Sequence, residues 1–199
     1  MTKFKSTIVI AVIGVDGSGK SSLIKELNKI LKKSYITIKN LHLRPYLFLT
    51  DKRTVINKPH NQKRLLTRIE SFMMIIIWLI IYRIFFFINL HKKNQLIIFD
   101  RYANDLLVDN IRYQYNLSKK VTQLILNLFP EPNLWILLKA PVQIIQKRKK
   151  ELPTKELKRQ MKEYLNFSKK KDNMLVVNTN LKMKKNISLI IKKMKSIVI

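Results

Sequence analysis

The sequence predicts an α/β fold in which a parallel sheet is covered by helices. Three observations carry the prediction. Short apolar, β-branched runs alternate along the chain with stretches of helical period. Several of these runs are continuously apolar instead of alternating, as expected of strands buried on both faces. The first run enters a helix through a glycine-rich loop and a second strand follows, which makes a βαβ unit.

In chain order, Thr7 to Ile13 is a strand, and Lys20 to Lys33 is a helix whose stripe is Leu23, Ile24, Leu27, Ile30 and Leu31. Tyr35 to Lys39 reads as the second strand, with Leu41 to Pro45 following at its carboxyl end. Pro45 biases Arg44 toward an extended backbone, so its guanidinium projects from a loop, either onto a phosphate or into solvent. Thr50 to Gln62 is a polar loop. After the long apolar segment Phe72 to Leu90 comes a buried strand, Gln95 to Asp100. Val121 to Phe129 is a helix stopped by Pro130-Glu131-Pro132. Leu134 to Leu138 and Met174 to Val177 are strands, and Val142 to Lys150, Thr154 to Lys171 and Leu181 to Ile197 are helices.

The glycine-rich loop is Gly14-Val15-Asp16-Gly17-Ser18-Gly19-Lys20-Ser21, a match to the phosphate-cradling pattern G-x-x-x-x-G-K-[ST] in its required context of strand, loop and helix. The chain has three glycines, and all three lie here, where backbone must approach a ligand closely. Backbone N–H groups of the loop through Ser22 would form a concave array of donors for a nucleotide's phosphates. Lys20 would place charge on the β- and γ-phosphates, and the Ser21 hydroxyl would ligate Mg²⁺.

The strand ending in Asp100 delivers a second acid to the same sheet edge, where it would orient Mg²⁺. Arg101 beside it would neutralise charge on an acceptor or on the moving phosphoryl group, or pair with Asp100. Asp105 and Asp109 share one helical side, facing either a substrate hydroxyl or the neighbouring Arg101 and Arg112. Dense positive charge from Gln146 to Glu151, next to Pro153, reads as a basic lid over about residues 147–156, with Arg148 its fork-shaped cation.

Composition narrows the classes. At 199 residues the chain suits a single domain. Without cysteine it has no disulfide or thiolate chemistry, in keeping with a cytoplasmic setting. A net charge of +28 is spread over many short lysine runs with no aromatic-interleaved stripe, which argues against dedicated nucleic-acid binding and leaves attraction to polyphosphate or anionic lipid. At about 1.5 Å per residue, Phe72 to Leu90 nearly reaches the ~30 Å of a bilayer core. A crossing there would separate the glycine loop from Asp100, so the segment is read as a helix buried against the sheet or in a homodimer interface. The alternative is a helix lying on the inner membrane face.

Taken together, the loop from Gly14 to Ser22, the triplet Asp100-Arg101-Tyr102 and the later segment with Arg148 resemble the thymidylate kinase branch of the nucleoside monophosphate kinases, within the P-loop NTPases. The resemblance spans essentially the whole chain. It implies a three-layer P-loop NTPase with a five-stranded parallel sheet flanked by helices. It also implies Mg²⁺ with ATP as donor, Lys20, Arg101 and Arg148 as catalytic, and an acceptor region over about residues 41–91. Asp16 would lie toward the acceptor, with Arg44, Arg101, Tyr102 and Asp105. The donor half matches better than the acceptor half. Arg44-Pro45-Tyr46 lacks the acid and glycines of the family's loop, Trp78 and its neighbours stand where the family has an arginine, and Tyr113-Gln114 comes later than the family's Tyr-Gln pair. The pattern Asp100-Arg101-Tyr102, Asp105, Asp109, Arg112 also resembles thymidylate kinase-like proteins associated with bacterial surface polysaccharides. The acceptor is thus a nucleoside monophosphate, dTMP being the named candidate, or a sugar or lipid-linked glycan. A low-turnover regulatory role is the third reading.

Overall fold

In the computed structural model the described residues are 6–43, 65–149 and 152–198. Five parallel strands form one sheet in the order β2-β3-β1-β4-β5: β1 Ile8–Ile13, β2 Thr37–His42, β3 Gln95–Asp100, β4 Leu134–Lys139 and β5 Met174–Asn178. The helices are α1 Lys20–Leu31, α2 Arg68–Leu90, α3 Asp105–Val108, α4 Lys119–Leu126, α5 Val142–Arg148, α6 Thr154–Ser168 and α7 Met183–Val198. A 3-10 turn, Ile111–Tyr113, lies between α3 and α4.

Alternation along β1 explains the three layers. Every β1 residue is buried, but Ile8, Ile10 and Val12 face α1 and α7, whereas Val9, Ala11 and Ile13 face the layer containing α2, α3, α4 and α6. Because β1 is central, both faces need apolar side chains. Its register brings Val12 opposite Asp100 of β3, so the loop after β1 and the turn after β3 leave the sheet side by side.

Of the boundaries that differ from the expectation, two bear on the packing around the sheet. The second strand runs Thr37–His42 instead of Tyr35 to Lys39, because it pairs with β3 from Thr37 opposite Gln95 to His42 opposite Asp100. Tyr35, whose type favours strands, is instead core material between α1 and β2. The long apolar helix begins earlier than Phe72. Thr67 is its N-cap, its hydroxyl accepting from the Glu70 N–H while the Glu70 carboxylate accepts from the Thr67 N–H.

One face of α2 is core. Ile75, Trp78, Leu79, Tyr82 and Phe86 pack on the sheet, and the Tyr82 hydroxyl donates to the Leu43 carbonyl at 3.0 Å. The opposite face carries exposed Ile77, Ile80 and Ile84, with Ile69 at 78% and Phe87 at 72% exposure. Burial against the sheet therefore accounts for only part of the helix's apolar character.

Candidate active site

β1 ends where α/β sheets place ligands, and the loop that follows is shaped by contact with β4. Gly14 has φ +140°, and a Cβ there would stand 2.8 Å from the Leu138 carbonyl oxygen. Gly17, at φ +79°, sits beneath α5, where a Cβ would meet Ile145 Cγ2 at 3.1 Å. α1 then starts at Lys20, leaving the first N–H groups, those of Lys20, Ser21 and Ser22, without intrahelical acceptors. Ser21 and Ser22 are exposed at this end, while Ser18 is fully buried inside the loop.

Lys20 folds back along the loop, its Nζ donating to the carbonyls of Gly14 at 2.8 Å and Val15 at 2.9 Å. Burial, with Arg101 as the next influence, lowers its pKa from 10.5 to about 8 despite nearby Asp16 and Asp100. Asp16 lies at the centre of the charge cluster. Its Oδ1 accepts from Arg101 Nη2 and lies 3.8 Å from Lys20 Nζ; its Oδ2 accepts from Arg112 Nη1 at 2.6 Å and lies 3.9 Å from Lys149 Nζ. Burial alone would raise the pKa of Asp16, but Arg101, Lys20 and Arg112 outweigh it and hold the carboxyl well below the usual range.

β3 delivers Asp100 beside this cluster, and the Arg101 N–H donates to the Val12 carbonyl at 2.9 Å. Asp100 Oδ1 is buried and has no hydrogen-bond partner among the described residues. Arg101 takes φ +73°, a left-handed backbone that costs a non-glycine residue about 1–2 kcal/mol. Its guanidinium is 3% exposed: Nη1 donates to Asp105 Oδ2 at 2.5 Å and lies 3.4 Å from the Tyr164 hydroxyl, and Nη2 donates to Asp16. Against the loss from burial, Asp105, Tyr164, Tyr113 and Asp16 raise its pKa further.

Two of the expected acceptor contacts are placed otherwise. Asp105 is fully buried, with Oδ2 taken by Arg101 and Oδ1 accepting from the Tyr164 hydroxyl at 2.8 Å, so it braces Arg101 and presents no open oxygen to a substrate. Tyr102 is core. The left-handed turn at Arg101 breaks the strand alternation and swings Tyr102 onto the α2 side, with ring centroids 5.1 Å from Tyr82 and 5.2 Å from Phe99. Its hydroxyl donates to the Pro130 carbonyl at 2.5 Å. Arg44 lies outside the described residues, as do Lys150 and Glu151 of the expected lid. Arg148 ends α5 exposed, with Nη1 3.7 Å from where a Gly19 Cβ would stand, so its guanidinium overhangs the loop.

Arg112, Lys149 and Tyr164 belong to this cluster but were not singled out as site residues from the sequence. For Arg112 a signal existed: Asp105, Asp109 and Arg112 recur at helical spacing. Tyr164 offered none, since its place depends on α6 packing under Asp105.

No family model matches the sequence, and no curated protein sequence matches it. Solved structures do match. Thymidylate kinase from Ehrlichia chaffeensis superposes with a TM-score of 0.65 at 16% identity, over 94% of this chain and 98% of that one. This chain has the thymidylate kinase fold. Thymidylate kinase from Candida albicans shares it at a TM-score of 0.62 and 18% identity, over 96% of this chain and 92% of that one. Deoxyadenosine kinase from M. mycoides matches at 0.58 and 22%, over 95% of this chain and 100% of that one. Within the thymidylate kinase fold, the charge cluster sits at the carboxyl ends of β1 and β3, the two central neighbours of the sheet.

Proposed function

We propose that the chain is an ATP-dependent phosphotransferase of thymidylate kinase-like type, moving the γ-phosphate of ATP to a nucleoside monophosphate, with dTMP the named candidate. The observation that carries this reading is the ring of cations around Asp16, beside the phosphate loop. A hydroxyl acceptor, as in a sugar or glycan, calls for a carboxylate base. Asp16 is held ionised far below the usual range and is a weak base, and both Asp105 oxygens are occupied. An acceptor phosphate needs positioning and charge neutralisation only, which the cluster suits.

Mg²⁺ fits the same residues. Asp100 Oδ1 is an orphaned buried acceptor, and Ser21 lies exposed in the first turn of α1. An ion there would be held by one or two protein oxygens and by donor phosphates. When bound, Mg²⁺ offsets charge on those phosphates. Lys20 and Arg148 bracket the donor side of the loop. An open cleft of about 480 Å³, lined by Met73, Met74, Ile77 and Trp78 of α2, by Tyr113 and Gln114 and by the acid Glu70, is mostly apolar, which supports its taking a nucleoside. We propose a cytoplasmic setting, which the reaction's need for ATP and the absence of cysteine support.

The test is ADP release from Mg·ATP by purified protein with dTMP, with other nucleoside monophosphates, and with a membrane extract containing lipid-linked glycans. Turnover with a monophosphate above the ATP-only background supports the reading; turnover with the extract alone overturns it. The lowered pKa of Lys20 adds a pH prediction. In the free protein the ammonium form is lost as pH rises through about 8, so kcat/KM for ATP should fall above that pH, whereas kcat, set by the ATP-bound form, should fall at higher pH. A profile of kcat/KM that stays flat to about pH 9.5 would contradict the placement of Lys20. The penalty for burying charged Lys20 is complete below about 8 and fades between about 8 and 10.5.

The outward face of α2 is apolar and exposed, which supports contact with either a second copy of the chain or anionic lipid. Sedimentation at low salt separates the two. A doubled mass without lipid, lost on Phe87→Glu, assigns the face to a homodimer; salt-sensitive pelleting with anionic vesicles assigns it to a membrane surface.

A further inference from the structure

We infer that His42 is a ligand of the divalent ion beside Asp100, and that its nitrogen tilts the site from Mg²⁺ toward Mn²⁺. The inference rests on the phosphotransferase reading above and deepens it at the metal. It begins with two buried atoms. Asp100 Oδ1 and His42 Nδ1 have no hydrogen-bond partner among the described residues, so they are not bonded to one another either. Buried polar side-chain atoms are in large majority paired. Here two orphans stand together at the ligand-binding edge of the sheet, because His42 is paired with Asp100 at the last rung of the β2–β3 ladder.

Alternation puts both side chains on one face. Partners in a parallel ladder share a face, and Asn40, two residues before His42, accepts from the Asn28 amide of α1 at 3.1 Å. Leu96 and Ile98, which precede Asp100 at the same spacing, pack in the core with Leu23 and Leu27 of α1. His42 and Asp100 therefore face the helix whose first turn carries Ser21, the other oxygen expected at the ion. Neither neighbouring cation closes the gap: Lys20 is turned to the carbonyls of Gly14 and Val15, and Arg101 to Asp16 and Asp105. Burial lowers the pKa of His42, and of the charges around the ring Asp100 acts on it most strongly. In the tautomer with its hydrogen on Nε2, Nδ1 is an acceptor only. A cation between the two acceptors satisfies both at once, and strands ~4.8 Å apart let one ion touch both side chains. An imidazole nitrogen in a shell of oxygens suits Mn²⁺ and the later transition ions better than Mg²⁺, which favours oxygen throughout.

The test uses untagged protein with Mn²⁺ alone and with Mn·ADP, read by electron paramagnetic resonance. Spin-echo modulation from a directly bound imidazole nitrogen is expected in the parent. It should persist in the double variant His60→Gln, His91→Gln, which leaves His42 as the one histidine of the chain, and vanish in His42→Gln. His42→Asp keeps a ligand but trades nitrogen for oxygen. Displacing bound Mn²⁺ with Mg²⁺ should then show a preference for Mn²⁺ about 10-fold smaller in His42→Asp than in the parent, a change that a merely structural histidine would not give. Mn²⁺ bound by the parent without a nitrogen signal, a signal that survives in His42→Gln, no binding at all, or equal preferences in the parent and His42→Asp would overturn the inference. If neither Mg·ATP nor Mn·ATP supports turnover of any nucleoside monophosphate, the phosphotransferase reading fails on its own, and the nitrogen signal with Mn²⁺ alone still decides for or against His42.

Discussion

Lys20→Ala is expected to abolish turnover, with a loss of at least about 10³-fold, while the far-UV circular dichroism stays that of the parent. The Nζ of Lys20 is the charge closest to the loop carbonyls, at 2.8 and 2.9 Å, and no other cation among the described residues is buried in the loop itself. Its removal deletes two hydrogen bonds, about 1 kcal/mol each. It also removes an ammonium whose burial is unfavourable, as the pKa of about 8 records. The two effects oppose, so stability should change little even as activity vanishes. Undiminished turnover would sink the assignment of the phosphate loop, and a lost helical signal would show that Lys20 serves the fold first.

Asp105→Ala is expected to show the opposite pattern, a large loss of stability. It strips one of two carboxylates from a guanidinium that is 3% exposed and removes the acceptor of the Tyr164 hydroxyl. Breaking a buried pair by deleting one partner costs about 3–5 kcal/mol. At roughly 2–4 °C per kcal/mol for a chain of this size, Tm should fall by about 10 °C. Pairing the change with Arg101→Leu removes the guanidinium left with Asp16 alone and should restore part of the loss, which a double-mutant cycle measures. A single variant melting within about 2 °C of the parent would mean that Asp105 does not anchor the turn after β3.

These two residues also mark where the sequence was legible. Lys20 could be placed from spacing alone, because strand, loop and helix are contiguous and the glycines leave the loop one course. The β1 and β3 runs were readable for the same reason, being apolar throughout as central parallel strands must be. Asp105 and Tyr102 were not, because their roles turn on the left-handed backbone of Arg101, which no neighbouring glycine or asparagine announces. Alternation carried past Asp100 would put Tyr102 on the α1 side, where it is not. The start of α2 was legible and passed over: Thr67 and Glu70 stand at capping-box spacing just before the apolar run. Arg112 was visible as a charge but not as part of the site, since tertiary contacts such as the packing of Tyr113 on Trp78 bring its turn to Asp16.

The register of Val12 with Asp100 has a kinetic side. Asp16 and Arg101 become neighbours only when β1 and β3 pair, and α1, β2 and all of α2 lie between those strands in the chain. Such long-range parallel pairing closes slowly, whereas helices such as α1 and α2 reform within about a microsecond. On dilution from denaturant the helical signal should return well before nucleotide binding does. The phosphate loop, although local in sequence, becomes functional as late as the most distant contact that supports it.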